Sequence, residues 1–155
     1  MLTRSLIAFV LISGLAVAFG LGLPILWPTS AKSAATEQQA KLLALGLTDH
    51  EVTPEELEKG TPLPVPRFNT PAMAYVWAAN VKKGDSVEIT LNNGDTPLLR
   101  NTETLAEDKV SFLLQAGKRG VPAGGWPEGT YHAEVKITRD GKPVISETTK
   151  PIAFE

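Results

Sequence analysis

Cysteine is missing from all 155 positions, and that absence removes disulfide bridges, thiol catalysis, disulfide exchange and Cys-ligated zinc together. Any folded unit in this chain stands on packing alone. Only two histidines occur, His50 and His132. One lies in a polar stretch and the other at an outward position of an alternating run, with no third ligand at a metal-binding spacing. A basic excess is lacking too: the formal net charge of −2 argues against a nucleic-acid partner. Catalytic motifs are equally scarce. No serine sits in a glycine-flanked elbow. The acids Glu103, Glu107, Asp108 and Glu134 fit solvated turns and strand faces, not a working carboxylate pair. Gly117-Lys118-Arg119-Gly120 has neither the length nor the following Ser or Thr of a phosphate loop. The sequence therefore predicts a chain that is not an enzyme and binds no metal or cofactor.

Charge is also missing from the whole run Leu6 to Trp27. As a helix that run is about 33 Å long at roughly 1.5 Å per residue, which matches a hydrocarbon core of about 30 Å. Arg4 and the amino terminus flank one side and Pro28-Thr29-Ser30 the other, so the amino terminus is expected inside. The prediction is a transmembrane anchor at residues 1–27 in a bacterial inner membrane, with a cytoplasmic amino terminus and everything downstream in the periplasm. A cleaved secretory signal is the competing reading, because Ala16-Val17-Ala18 has the small-x-small pattern of a cleavage site. Cutting there leaves Phe19 to Trp27 as an apolar free end, and cutting after Ala31 requires a hydrophobic region well above the usual 7 to 15 residues or so. The retained anchor is the favoured of the two.

Within the run, Gly14, Ala18 and Gly22 recur at steps of four, and Ala16 with Gly20 forms a second pair. Small residues at this spacing let helix backbones approach closely in lipid. They predict packing against other integral membrane protein subunits, although Ala and Gly are common in any such segment. Arg4 and Trp27 mark the two membrane interfaces, and Pro24 kinks or ends the helix.

Residues 28–71 shift to Ser, Thr, Glu, Gln and Pro and are predicted to form a spacer. Ala40, Leu43, Ala44 and Leu47 fall at steps of three and four, the pattern of an amphipathic helix over Thr36 to Leu47. Thr53-Pro54-Glu55-Glu56 is a helix start, with Thr53 and Glu56 as a capping box, Pro54 at the first turn and Gly60 as the stop. Pro62, Pro64 and Pro66 then favour an extended polyproline path that holds a domain off the bilayer or offers a strip to a proline-reading partner.

From Ala72 the period becomes two. Met73, Tyr75, Trp77 and Ala79 alternate on a first strand. Val87, Ile89 and Leu91 face inward on the next, Leu98 to Leu105 reads as a polar edge strand, and Val110, Phe112 and Leu114 resume the inward pattern. Tyr131, Ala133, Val135 and Ile137 form the clearest strand, and Asp140-Gly141 is a hairpin turn before a last, proline-interrupted strand. About six strands without helices between them predict a mainly β fold at residues 72–155, two antiparallel sheets packed face to face.

Gly129-Thr130-Tyr131 before a regular strand resembles the tyrosine corner of immunoglobulin and fibronectin type III domains, and Lys83-Gly84-Asp85 is similar to turns in bacterial domains of that kind. The resemblance implies a small immunoglobulin-like β-sandwich, membrane-anchored and bacterial. The chain departs from antibody domains in having no cysteine pair and in carrying Trp77 on the first predicted strand. The Gly/Pro-rich loop after the fourth strand carries Lys118, Arg119, Val121 and Trp126. These are the predicted partner contacts, since Trp and Arg concentrate interface energy and loops on rigid sheets carry function. Trp126 folding back as a lid on the core is the alternative. The function expected from all this is that of a non-catalytic accessory subunit packed on a larger membrane assembly. A released periplasmic module recognising carbohydrate, peptide or a client protein is the other reading.

Overall fold

Alternating apolar and polar residues, broken by Gly- and Asn-containing turns, produce eight strands and one short helix in a computed structural model that describes residues 39–155. In chain order these are β1 (Lys41–Thr48), α1 (Pro54–Lys59), β2 (Ala72–Val81), β3 (Ser86–Asn93), β4 (Thr96–Thr104), β5 (Lys109–Lys118), β6 (Thr130–Arg139), β7 (Lys142–Thr148) and β8 (Ile152–Ala153). The fold is mainly β and every strand pairing is antiparallel. One sheet has the order β1-β2-β5; the other runs β4-β3-β6-β7, with β8 continuing the outer edge beside β6. Among the described residues no helix is long and apolar enough to cross a membrane. The predicted anchor, with Arg4, Gly14, Ala16, Ala18, Gly20, Gly22 and Trp27, lies outside the described residues.

One cluster of buried side chains joins the two sheets. Val76 and Val81 of β2 and Leu114 of β5 meet Ile89 and Leu91 of β3 and Tyr131, Val135 and Ile137 of β6. On β2 the inward residues are small: Ala72, Ala74, Val76 and Ala78. The large residues Tyr75 and Trp77 lie on the outer face, the reverse of what their size suggests. Volume balance explains this, because close packing across the core sets small residues of one sheet against the bulky ones of β3 and β6. Outside, Tyr75 lies over Gly46, where an added Cβ would come within 2.6 Å of the Tyr75 hydroxyl.

Two parts of the predicted spacer are corrected. Lys41–Thr48, expected within an amphipathic helix, is a strand paired with β2. Its core-facing residues are Leu42, Leu45 and Leu47. A bulge between Leu42 and Ala44 inserts one residue and turns one step of two into a step of three, so a bulged strand mimics helical spacing. The proline stretch does not stand off as a rod. Pro66 is fully buried, the Pro64 carbonyl accepts from the Thr48 hydroxyl at 3.0 Å, and the compact unit spans Gln39–Glu155. Between these segments α1 forms as its sequence predicts, with the Thr53/Glu56 capping box, Pro54 in the first turn and Gly60 in the left-handed region. The segment is strapped to the outer face of the three-stranded sheet by Gln115, whose side chain accepts from Val52 N at 2.7 Å and donates to Val52 O at 3.0 Å.

Candidate functional site

The predicted contact loop follows β5 at one end of the unit, where the strap 49–71, the β3–β4 turn and the residues after β7 also gather. Its centre is aromatic. Tyr131 and Phe154 stack with ring centroids 3.9 Å apart, and the Trp126 ring meets each edge-on, at 6.2 and 6.0 Å. Such edge contacts add about 0.5–1.5 kcal/mol each beyond the buried area. Trp126 is only 7% exposed. Its indole N–H donates to the Thr70 carbonyl at 2.7 Å and its backbone N–H to the Phe68 carbonyl at 2.9 Å, so the loop is stitched to the strap. Gly125, at φ 89°, allows that approach; a Cβ there would press on the Phe68 ring at 2.9 Å.

Tyr131 anchors the other side of the loop. Its hydroxyl donates to the carbonyl of Pro127, four residues upstream, and receives Asn93 Nδ2 at 3.3 Å. Asn93 Nδ2 also reaches the Glu128 carbonyl at 3.1 Å. Burial pushes the Tyr131 pKa up, so the hydroxyl keeps the proton it donates. Gly129, at φ 140°, lies against Asn93, whose side chain leaves no room for a Cβ.

Of the four predicted contact residues, Lys118, Arg119 and Val121 are exposed. Trp126 is not: it is the lid of the core, the alternative held open for it from the sequence. Arg119 is paired with Glu51 on the strap. Beside the lid a cavity of about 200 Å³ is lined by Leu98, Leu99, Lys118, Pro122, Trp126 and Pro127. Leu98 and Leu99 come from β4, an edge strand as the sequence suggests, but the sequence reading gave neither leucine a role beside the loop. The signal was the Pro97-Leu98-Leu99 run opening it.

A second polar cluster links β1 to α1. The ring nitrogens of His50 face Asp49 Oδ1 at 2.8 Å and Glu56 Oε1 at 2.9 Å, while Glu56 Oε2 accepts from Thr53 N at 3.0 Å. Only the doubly protonated ring can donate to both carboxylates. Asp49 first and Glu56 second raise the His50 pKa, and His50 lowers that of Glu56. A groove of about 760 Å³ lies nearby, between Pro64–Arg67 on one wall and Ala153 and Glu155 on the other. Among the described residues no group of three acids or histidines is arranged to hold a metal ion.

At the opposite end Asp85, 1% exposed, is gripped by Arg139 through Nε at 2.8 Å and Nη2 at 2.7 Å and by Lys82 N at 2.8 Å. The Arg139 guanidinium is the main cause of its lowered pKa. This pair is a turn pin that the sequence marked only as the turn Lys83-Gly84-Asp85. Compared with known protein families and with curated proteins, the chain gives no match to either.

Proposed function

We propose that the chain is a non-catalytic accessory subunit: a single-pass membrane protein of a bacterial inner membrane whose helix and periplasmic immunoglobulin-like β-sandwich pack onto a larger membrane assembly. The observation that carries this reading is the charge-free run Leu6–Trp27 placed ahead of a compact β unit. The clustered titratable groups of that unit, Asp85 with Arg139 and His50 with Asp49 and Glu56, hold turns and the strap in place. The immunoglobulin-like assignment is supported by the strand orders β1-β2-β5 and β4-β3-β6-β7 and by the Tyr131 hydroxyl bonded to the carbonyl four residues before it.

Partner contact falls on Lys118, Arg119 and Val121 and on the small apolar cavity beside them. Tethering raises the local concentration of such a modest surface near its target, so high intrinsic affinity is unnecessary. Co-purification in mild detergent tests this. A defined membrane complex recovered with the native chain, and lost with Lys118→Glu/Arg119→Glu/Val121→Asp at unchanged melting temperature, is the expected result. Recovery of the same complex with that variant overturns the assignment of the contact surface.

The Ala16-Val17-Ala18 pattern favours a second reading, a released periplasmic module that binds carbohydrate, peptide or a client protein through the same loop. Amino-terminal sequencing of the mature protein separates the two.

A further inference from the structure

The end of the unit opposite the aromatic lid carries a different surface. The described chain begins there: the Gln39 carbonyl accepts from Asn80 Nδ2 at 3.4 Å. Three short turns meet at this end, with Lys83 N donating to Asp108 Oδ1 and Gly84 N to the Leu105 carbonyl, both at 2.9 Å. The Asp140-Gly141 hairpin lies beside them. Three of the strands there pair a lysine with an exposed apolar residue: Lys41 with Leu43 on β1, Lys109 with Val110 on β5, and Lys142 with Val144 on β7. Val110, expected from the alternation to face inward with Phe112 and Leu114, is instead 85% exposed, more than any other large apolar residue described.

Lys41, Lys83 and Lys142 make no ion pair among the described residues, while Lys82 and Lys109 reach Asp108 and Glu107 at 3.7 and 3.0 Å. Glu103 and Asp140 are the other exposed acids near this end, and Asp85 is already engaged by Arg139. These five lysines outnumber the four exposed acids at this end, whereas the strap at the aromatic end carries Asp49, Glu51, Glu55, Glu56 and Glu58 against His50, Lys59 and Arg67. Apolar tips ringed by lysines suit the boundary between anionic headgroups and acyl chains, where aliphatic stems bury and ammonium groups meet phosphates.

We infer that this lysine end docks on an anionic lipid surface, with Val110 at the contact and Leu43 and Val144 beside it. The inference rests on the tether proposed above, which brings a bilayer within reach, since residues 28–38 span at most about 40 Å even fully extended. Docking turns the aromatic end, with Lys118, Arg119 and Val121, away from the membrane and towards a partner.

The absence of native cysteine makes the test direct. The full chain with Val110→Cys carries an environment-sensitive fluorophore at that one position and is reconstituted into vesicles of phosphatidylcholine alone or mixed with phosphatidylglycerol. Asp95→Cys, in the β3–β4 turn, reports the opposite end. The expected result is a blue shift at position 110 in the anionic vesicles only, with none at position 95. Salt near 1 M, where the Debye length falls to about 3 Å, reverses the shift. Each of Lys41→Glu, Lys83→Glu and Lys142→Glu lowers the ratio of docked to undocked chain at least about fivefold. Aqueous emission at position 110 in both vesicle types, while the chain floats with both, overturns docking and leaves the tether standing. Equal shifts in both vesicle types overturn the role of headgroup charge. A chain that floats with neither overturns the tether and the docking with it.

Discussion

The two ends of this β unit solve the same problem with different chemistry. At the aromatic end long connections cross the gap between the sheets, and Trp126, Tyr131 and Phe154 fill it while indole, hydroxyl and amide donors satisfy the loop carbonyls of Thr70, Pro127 and Glu128. At the lysine end the turns are short, and one buried carboxylate, Asp85, ties them through Arg139, Lys82 N and its own backbone bond to Leu105 N. Long loops need apolar bulk because their backbone must be both shielded and hydrogen-bonded. Tight turns need only a well-placed acceptor. The difference teaches where tolerance to change lies: the first end yields to loss of volume, the second to loss of one charge.

Substitutions can break that contrast, and the largest effect is expected from Trp126→Ala. Removing the lid opens a cavity and strands the Thr70 carbonyl, destabilising the unit by about 3–5 kcal/mol in urea unfolding. A change below about 1 kcal/mol would show that the indole is a dispensable surface group. Arg139→Ala comes next, at about 3 kcal/mol, because it leaves the Asp85 carboxylate buried without its partner. Asp85 has a lowered pKa, so its contribution is present above the ordinary carboxylate range and is lost as pH falls through the lowered value. The Arg139→Ala defect should therefore shrink in strong acid. Being at opposite ends, the two substitutions should add to within about 0.5 kcal/mol. Tyr131→Phe keeps the ring stack and removes only the hydroxyl, for a loss of about 1–2 kcal/mol.

The smallest expected effect is at His50. Its pKa is raised in the folded unit, so its contribution is complete below about pH 6.5 and fades as pH rises through the folded value. Below about pH 4.5 the Glu56 share is lost in turn as that carboxylate protonates. The melting temperatures of native protein and His50→Gln should thus differ most near pH 6 and converge by about pH 9. An equal difference at both pH values would mean that His50 packs without acting as a charge.

Much of this architecture was legible from residue order. The period-two runs at β3 and β6, the positive φ angles of Asp140 and Gly141 in the hairpin, at 52° and 79°, and the capping box of α1 all follow from local chemistry that tertiary contacts do not oppose. Three features were not legible. The bulge at Leu43 disguised β1, the inward face of β2 was chosen by the volume of residues far away in sequence, and Pro66 was buried by a strap whose acceptors and donors, Thr48 and Gln115, lie elsewhere in the chain. At the candidate site the exposed trio Lys118, Arg119 and Val121 could be read from loop composition. The burial of Trp126 could not be settled in advance, because Phe68, Thr70 and Phe154 reach it from distant segments.

The proposal most exposed to disproof is that the charge-free run Leu6–Trp27 stays in the bilayer with the β unit attached. Alkaline extraction of membranes followed by amino-terminal sequencing tests this directly. A polypeptide that stays in the membrane pellet and still carries the residues up to Trp27 is the predicted result. A chain released into the soluble fraction and beginning after Ala18 or Ala31 would contradict it.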